Sequence, residues 1–230
     1  MSNIIINPYS VVAGGTPFVN VYSVDFDGVN DYVDCTNALN SYFDLDDAFS
    51  FSAWVNIGNN GDDTIISNAT GYKGWEVMWD QISAETGLIK FVIFESGSKW
   101  LWVKSSTILD DTWYHVLVTK DTSTGLNMYI NGSLDNDATS SGGTISDITV
   151  TSALKIGTRD GNTYYEGYID EVAIWNSELS AANAATIYNS GLPASLSALS
   201  PIAWWRMGDG DTFPYLDNTQ AFSKRAFYSD

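Results

Sequence analysis

The sequence holds one cysteine, Cys35, and one histidine, His115. A lone thiol excludes an intrachain disulfide, and neither residue is frequent enough to build a Cys- or His-rich zinc site. Any Ser/His/Asp constellation would have to use His115, and no G-x-S-x-G turn accompanies it. Phosphate-cradling patterns, G-x-x-x-x-G-K-[ST] and a strand-to-helix G-x-G-x-x-G, are also missing, which leaves no basis for a nucleotide site. No apolar run approaches the roughly 20 residues needed to span a bilayer, so a soluble chain without membrane insertion is expected. The start, MSNIIINPYSVV, has no basic region and contains Asn and Pro, so it does not read as a signal peptide. Bases are scarce as well. Ten Lys and Arg against 28 Asp and Glu give a formal charge of −18. That excess repels phosphate backbones and argues against a nucleic-acid partner, while it suits cation binding and solubility.

What the chain does have is strand signal. AFSFSAWVNI (48–57), TIISN (64–68), GWEVMWD (74–80), GLIKFVIFE (87–95), KWLWVKS (99–105), TWYHVLVTKD (112–121), LNMYING (126–132), ALKIGT (153–158) and YYEGYIDEVAIW (164–175) are short runs rich in aromatic and β-branched residues. Gly, Asn, Asp and Ser punctuate them, and no helical segment separates them. This spacing predicts an all-β, two-sheet antiparallel sandwich rather than βαβ units. Asn131 and Gly132 suit a hairpin turn with positive φ. One short C-terminal helix is expected over 181–188, capped by Ser180 and stopped near Gly191. At about two turns it must pack through Leu179, Ala184, Ile187 and Tyr188, as a lid on a sheet edge or sandwich end.

The chain divides into an N-terminal arm (1–20), the sandwich domain (21–192) and an aromatic-rich C-terminal arm (193–230). Ile4 to Ile6 in the first arm, and Trp204, Trp205 and Phe213 in the second, are too apolar for free tails. They read as assembly contacts in a homo-oligomer or larger particle, or as segments that pack back on the sandwich.

Three groups of side chains are candidates for chemistry. In DFDGVNDYVDC (25–35), counting from Asp25 puts Val29 at position 5, Asn30 at position 6 and Thr36 at position 12, which excludes an EF-hand. An acidic turn closed by its own Asx hydrogen bonds remains one reading. Glu76 and Asp80 share a strand face, but the paired carboxylates of a retaining glycosidase are not matched, so no catalytic residue is named and the chain is not read as an enzyme. His115, among Trp113, Tyr114, Val116 and Val118, reads as structural. Binding is the better prospect, because sugar C–H faces stack on exposed rings. Alternation puts Trp100, Trp102 and Lys104 on an outer face, and Tyr164 and Tyr165 lie in a loop beside Asp160 and Asn162. These four aromatics are the candidate glycan or partner contacts.

The order of DFDGVNDYVD, FSFSAWV, TWYHVLVTKD, MYINGSL, LKIGT and GYIDEVAIWNSELSAANAATIYNSG resembles the laminin G-like, concanavalin A-like jelly-roll domains over roughly residues 20–192. Tyr114 and Asn131 depart from the family's usual His and Asp. The resemblance implies a jelly roll, and a structural calcium where the early turn meets the last long strand, held by Asp27, Asn30 or Asp31, and Asp170. AWWRMGDGDTFP beside such a domain is similar to virion proteins of tailed bacteriophages. That implies a non-catalytic structural or adhesive component, in a capsid decoration or tail fibre at the virion surface or otherwise extracellular, with other virion proteins and a host surface glycan as partners. The alternatives are a free carbohydrate-binding lectin module and a glycoside hydrolase or lyase.

Overall fold

The computed structural model describes residues 18–58, 61–83, 86–209 and 224–226. The strands, in chain order, are β1 (Tyr22–Asp27), β2 (Val33–Asp34), β3 (Phe49–Ile57), β4 (Asp63–Ser67), β5 (Gly74–Ser83), β6 (Thr86–Ser96), β7 (Lys99–Lys104), β8 (Ile108–Leu109) and β9 (Trp113–Lys120). They continue as β10 (Leu126–Ile130), β11 (Ser133–Leu134), β12 (Ala138–Gly142), β13 (Lys155–Ile156), β14 (Thr158–Arg159), β15 (Thr163–Tyr164), β16 (Glu166–Trp175), β17 (Ala203–Trp205) and β18 (Lys224–Ala226). One α-helix, α1 (Ala181–Tyr188), accompanies them among the described residues.

Two antiparallel sheets face each other, as expected for the jelly-roll class. The first runs β11-β10-β9-β3-β16-β1-β18, with β17 also on β16, and the second runs β12-β7-β6-β5-β4-β13-β2, with β8 on β6. Period-two alternation explains the layers. In β3, Phe49, Phe51, Ala53, Val55 and Ile57 enter the core, while Ser50, Ser52, Trp54 and Asn56 take the opposite face. The second sheet answers with Trp75, Val77, Trp79, Ile89, Phe91, Ile93 and Val103. Phe43, Phe49, Trp75 and Phe91 meet edge-on or tilted with ring centroids 5.1–6.3 Å apart, the arrangement that ring quadrupoles favour.

β16 breaks the alternation at one place. Its register with β3 shifts between Asp170 and Ala173, and Glu171 sits at φ 48°. Ile169, Val172 and Ile174 all reach the core, a spacing that strict alternation cannot supply. The bulge inserts the extra residue that keeps Glu171 out of the apolar layer.

The helix begins as expected. Ser180 Oγ accepts the Asn183 N–H and the Asn183 side chain accepts the Ser180 N–H, closing a capping box. It ends at Asn189, which adopts the left-handed conformation, two residues before the expected Gly191. It also lies on the outer face of the first sheet, not at an edge or end. Ala184, Ile187, Leu179 and Leu196 form a second small core with Leu117, Tyr129, Ala173 and Trp175. The Tyr188 ring stacks on Trp54 at 5.8 Å. Asn131 and Gly132 make the expected positive-φ turn between β10 and β11.

The segment after residue 192 joins the sandwich at least through Asp209. β17 pairs with Val172–Ile174 of β16, and β1 pairs with Glu166–Ile169 on the same edge, because β3 occupies the other. Trp205 and Met207 pack on the main core, and Trp204 on the smaller one. Phe213 and Ile4 to Ile6 lie outside the described residues.

Candidate functional site

The second sheet leaves its outer face open. Alternation brings Glu76 and Met78 of β5, Lys90, Val92 and Phe94 of β6, and Trp100, Trp102 and Lys104 of β7 to that face. The register sets Phe94 beside Trp100, Val92 beside Trp102, and Lys90 between Met78 and Lys104. The Trp100 and Trp102 rings are nearly parallel, 5° apart in plane with centroids at 6.3 Å. Gly142 of β12 pairs with Trp100, and a Cβ there would come within 2.7 Å of its indole nitrogen, so the absence of a side chain at Gly142 is what lets this ring settle.

The β14–β15 hairpin packs against β4 and forms the opposite wall. From it Arg159 reaches Glu76, with Nη1 at 2.7 Å from Oε2. Thr64 Oγ1 donates to the other Glu76 oxygen at 2.6 Å and meets Thr163 Oγ1 at 2.6 Å. Glu76 is only 1% exposed, and burial raises its carboxyl pKa against the opposing pull of Arg159. It is a sealed anchor, although it shares a strand face with the more exposed Asp80. Lys90 pairs with Asp80, and its Nζ lies 5.7 Å from the Trp102 ring centre. Tyr72 stands at the end of the face, edge-on to Phe94 at 6.4 Å. Between these walls lies a depression of about 300 Å³, floored by Met78, Val92 and Phe94 and bounded by Tyr72, Lys90, Trp100, Trp102 and Arg159.

Trp100 and Trp102 are therefore together and partly exposed. Tyr165 is a correction. It is fully buried, edge-on to Phe26 at 5.9 Å, and its hydroxyl donates to the Asn56 carbonyl at 3.0 Å, so it cannot meet a glycan or a partner. Tyr164 stays half-buried on β15 and is not among the residues that line the depression. Sequence reasoning missed Arg159, Lys90, Phe94 and Tyr72. Alternation along β6 carries a signal for Lys90 and Phe94, whereas the Arg159–Glu76 pair joins residues 83 positions apart and has no local signature.

The calcium set divides. Asp27 Oδ1 accepts the Val29 and Asn30 N–H groups at 2.9 and 3.3 Å, and Asp31 Oδ2 accepts the Asp27 N–H at 3.2 Å. The turn closes on its own backbone. Asp27 faces Glu166 across the β1–β16 ladder, four residues along the strand from Asp170. Asp170 is buried with Glu171 in the bulge, where Asn20 Nδ2 donates to both at 2.8 and 2.7 Å. Trp204 Nε1 and Arg206 Nε complete the Glu171 shell at 2.6 and 3.2 Å. Among the described residues no group of three or more His, Cys, Asp or Glu side chains is placed to hold a metal. Asp27, Asp31 and Asp170 are therefore not gathered into one carboxylate cluster.

Trp204 and Trp205 pack back on the sandwich and stay half-buried. Besides its bond to Glu171, Trp204 stacks with Phe18 at 6.2 Å. His115 is buried, with Nε2 and Ser52 Oγ 2.8 Å apart, and burial lowers its pKa to about 3. Its Nδ1 meets no hydrogen-bond partner among the described residues, so the orienting carboxylate of a triad is missing there.

A family profile, the concanavalin A-like lectin/glucanases superfamily, matches residues 27–185. No curated protein matches the sequence. Among solved structures, a heptameric SAP-like pentraxin from Limulus polyphemus is similar with TM-score 0.57 and 15% identity, over 75% of this chain and 84% of that one. A candidate carbohydrate-binding protein from Bacteroides ovatus gives TM-score 0.64 and 16% identity, over 95% of this chain and 65% of that one. The binding domain of botulinum neurotoxin serotype G gives 0.50 and 19%, over 73% and 50%. The match thus spans less than two thirds of the latter two chains, and at these identities the likeness is one of fold.

Proposed function

Starting from a chain that belongs to the concanavalin A-like lectin/glucanases superfamily, we propose that it is a non-catalytic module that binds a saccharide on the outer face of its second sheet. One observation carries this reading: two parallel indoles, Trp100 and Trp102, wall a groove of about 300 Å³ whose far side is Arg159. A pyranose has apolar C–H faces and polar edges, so a partly exposed indole surface with lateral hydrogen-bonding groups suits it. The carbohydrate-binding assignment of the similar Bacteroides ovatus protein and the binding role of the neurotoxin domain are in keeping with it. The carboxylates near the groove are already engaged, Glu76 by Arg159 and Thr64, and Asp80 by Lys90, which disfavours general acid–base chemistry there.

The same proposal includes service as an adhesive part of a larger assembly, a tailed-phage virion being the case that the C-terminal sequence resembles, with a host surface glycan as target. A glycan-array screen followed by calorimetry tests the binding function. Wild type should retain a saccharide that the Trp100→Ala, Trp102→Ala double variant releases, with affinity falling by at least tenfold at unchanged melting temperature. Equal binding by that variant would remove the groove from the function.

A further inference from the structure

We propose that the saccharide taken by this groove carries an anionic substituent, a carboxylate or a sulfate ester, a conclusion that rests on the binding reading above. The groove's ionised lining is cationic only. Lys90 and Arg159 bound it, and no Asp or Glu does so among the described residues. That is an unusual local choice in a chain with 28 acids and ten bases. It is not explained by the ion pairs alone. The carboxylate of Glu76 is shut beneath Arg159 at 1% side-chain exposure, whereas Arg159 itself keeps 26%. The salt bridge engages Nη1, and a guanidinium has five N–H donors in a planar fork, so donors remain for a second acceptor.

The hydrogen-bonding sense of the lining points the same way. Neutral sugar hydroxyls both donate and accept, and the side chains suited to reading them are amides and carboxylates, which accept as well as donate. The groove lining has no Asn, Gln, Asp or Glu, and apart from its two cations and the indole N–H groups its polar side chains are the hydroxyls of Tyr72 and Ser96. Lys and Arg only donate. Their complement is a group that only accepts, which a carboxylate or sulfate is and a hydroxyl is not. The long-range field cannot supply this attraction, because the whole chain is strongly acidic and repels anions over distances up to the screening length. Recognition therefore has to be local: the ring stacks on the indoles, and its charged edge meets Arg159 and Lys90.

The test compares matched pairs on the full chain by tryptophan fluorescence and calorimetry: hexagalacturonate against its methyl ester, and a sulfated galactan hexasaccharide against its desulfated form. The free acid, the sulfate or both should bind at least tenfold more tightly than the uncharged counterpart, and the pair showing the larger ratio identifies the source of the charge. Lys90→Gln should bring that ratio toward one. This variant leaves Asp80 with a side chain already 32% exposed, so it should fold. Arg159→Lys, which retains charge opposite Glu76, should lower the ratio while keeping the melting temperature. Uncharged forms binding as tightly as charged ones would overturn the inference and leave the binding reading intact. If no saccharide of either kind binds, both fall.

Discussion

Asp63 shows how much one side chain's surroundings decide. It lies 2% exposed at the start of β4, its Oδ2 accepts the Glu166 N–H at 3.2 Å, and burial, aided by the charges of Glu166 and Asp62, raises its pKa from 3.8 to about 7. Between those values the folded chain binds a proton that the unfolded chain has released. The stabilisation is complete below pH 3.8, declines as pH rises, and is gone above about 7. Asp63→Asn keeps the acceptor and removes the charge, so its stability relative to wild type should be greater at pH 8 than at pH 5, by roughly 5 °C in melting temperature. Thermal melts at the two values decide it, and an equal offset at both would contradict the assignment. His115 acts in the opposite sense, because its pKa falls from 6.5 to about 3 and its contribution is lost as pH falls between them. Lys120 illustrates what a strand pattern hides. Its ammonium is buried and donates to the carbonyls of Leu45, Asp47 and Asp121, tying a loop to a hairpin. Nothing in TWYHVLVTKD distinguishes such a lysine from one at a solvent edge. The Asx closure at Asp27, by contrast, was legible, because Asp before Gly-Val-Asn is a local device that needs no distant partner.

At the scale of elements, the strands were readable where alternation was regular, as in β3, β5, β6 and β7, and so was the face carrying Trp100 and Trp102. The helix limits were also close, since Ser180 and Asn183 cap from within four residues. Its docking place was not, because a short amphipathic helix states that it must pack and not on what. Ser180→Ala should cost about 1 kcal/mol, the usual loss for a cap of this kind. Chemical denaturation checks this, and no change in midpoint would mean that docking through Ala184 and Ile187 holds the helix without its cap. The β16 bulge lies between these cases. The apolar spacing of Ile169, Val172 and Ile174 signals an irregularity, but the partners of Asp170 and Glu171 come from Asn20, Trp204 and Arg206, far away in sequence.

For the molecule as a whole, the expected division at residue 192 changes meaning. Ending the chain at Leu192 removes β17 and strips Trp204 and Arg206 from a buried carboxylate, whereas ending it at Asp209 keeps both. Loss of the partners of a buried charge costs about 3–5 kcal/mol. Both truncations lack β18 and only the shorter lacks β17, so the shorter chain should melt at least roughly 10 °C below the longer one or fail to fold. Equal melting temperatures for the two would restore the segment to a dispensable arm.

β17 and β1 lie end to end along one edge of β16, both antiparallel to it, and together act as a single split strand whose gap faces the bulge. The Val21 and Tyr22 N–H groups bond to Asp209 Oδ2 at 2.8 and 3.0 Å, so two backbone positions far apart in sequence meet at the same notch, while β18 lies along the other side of β1. A unit cut at residues 21 and 209 would have its two ends side by side, the geometry that insertion into a surface loop needs. Under traction the result reverses. Opposed pulling at Val21 and Asp209 would load the notch first and open the short β17 ladder one hydrogen bond at a time, whereas β1 is held on both sides by β16 and β18.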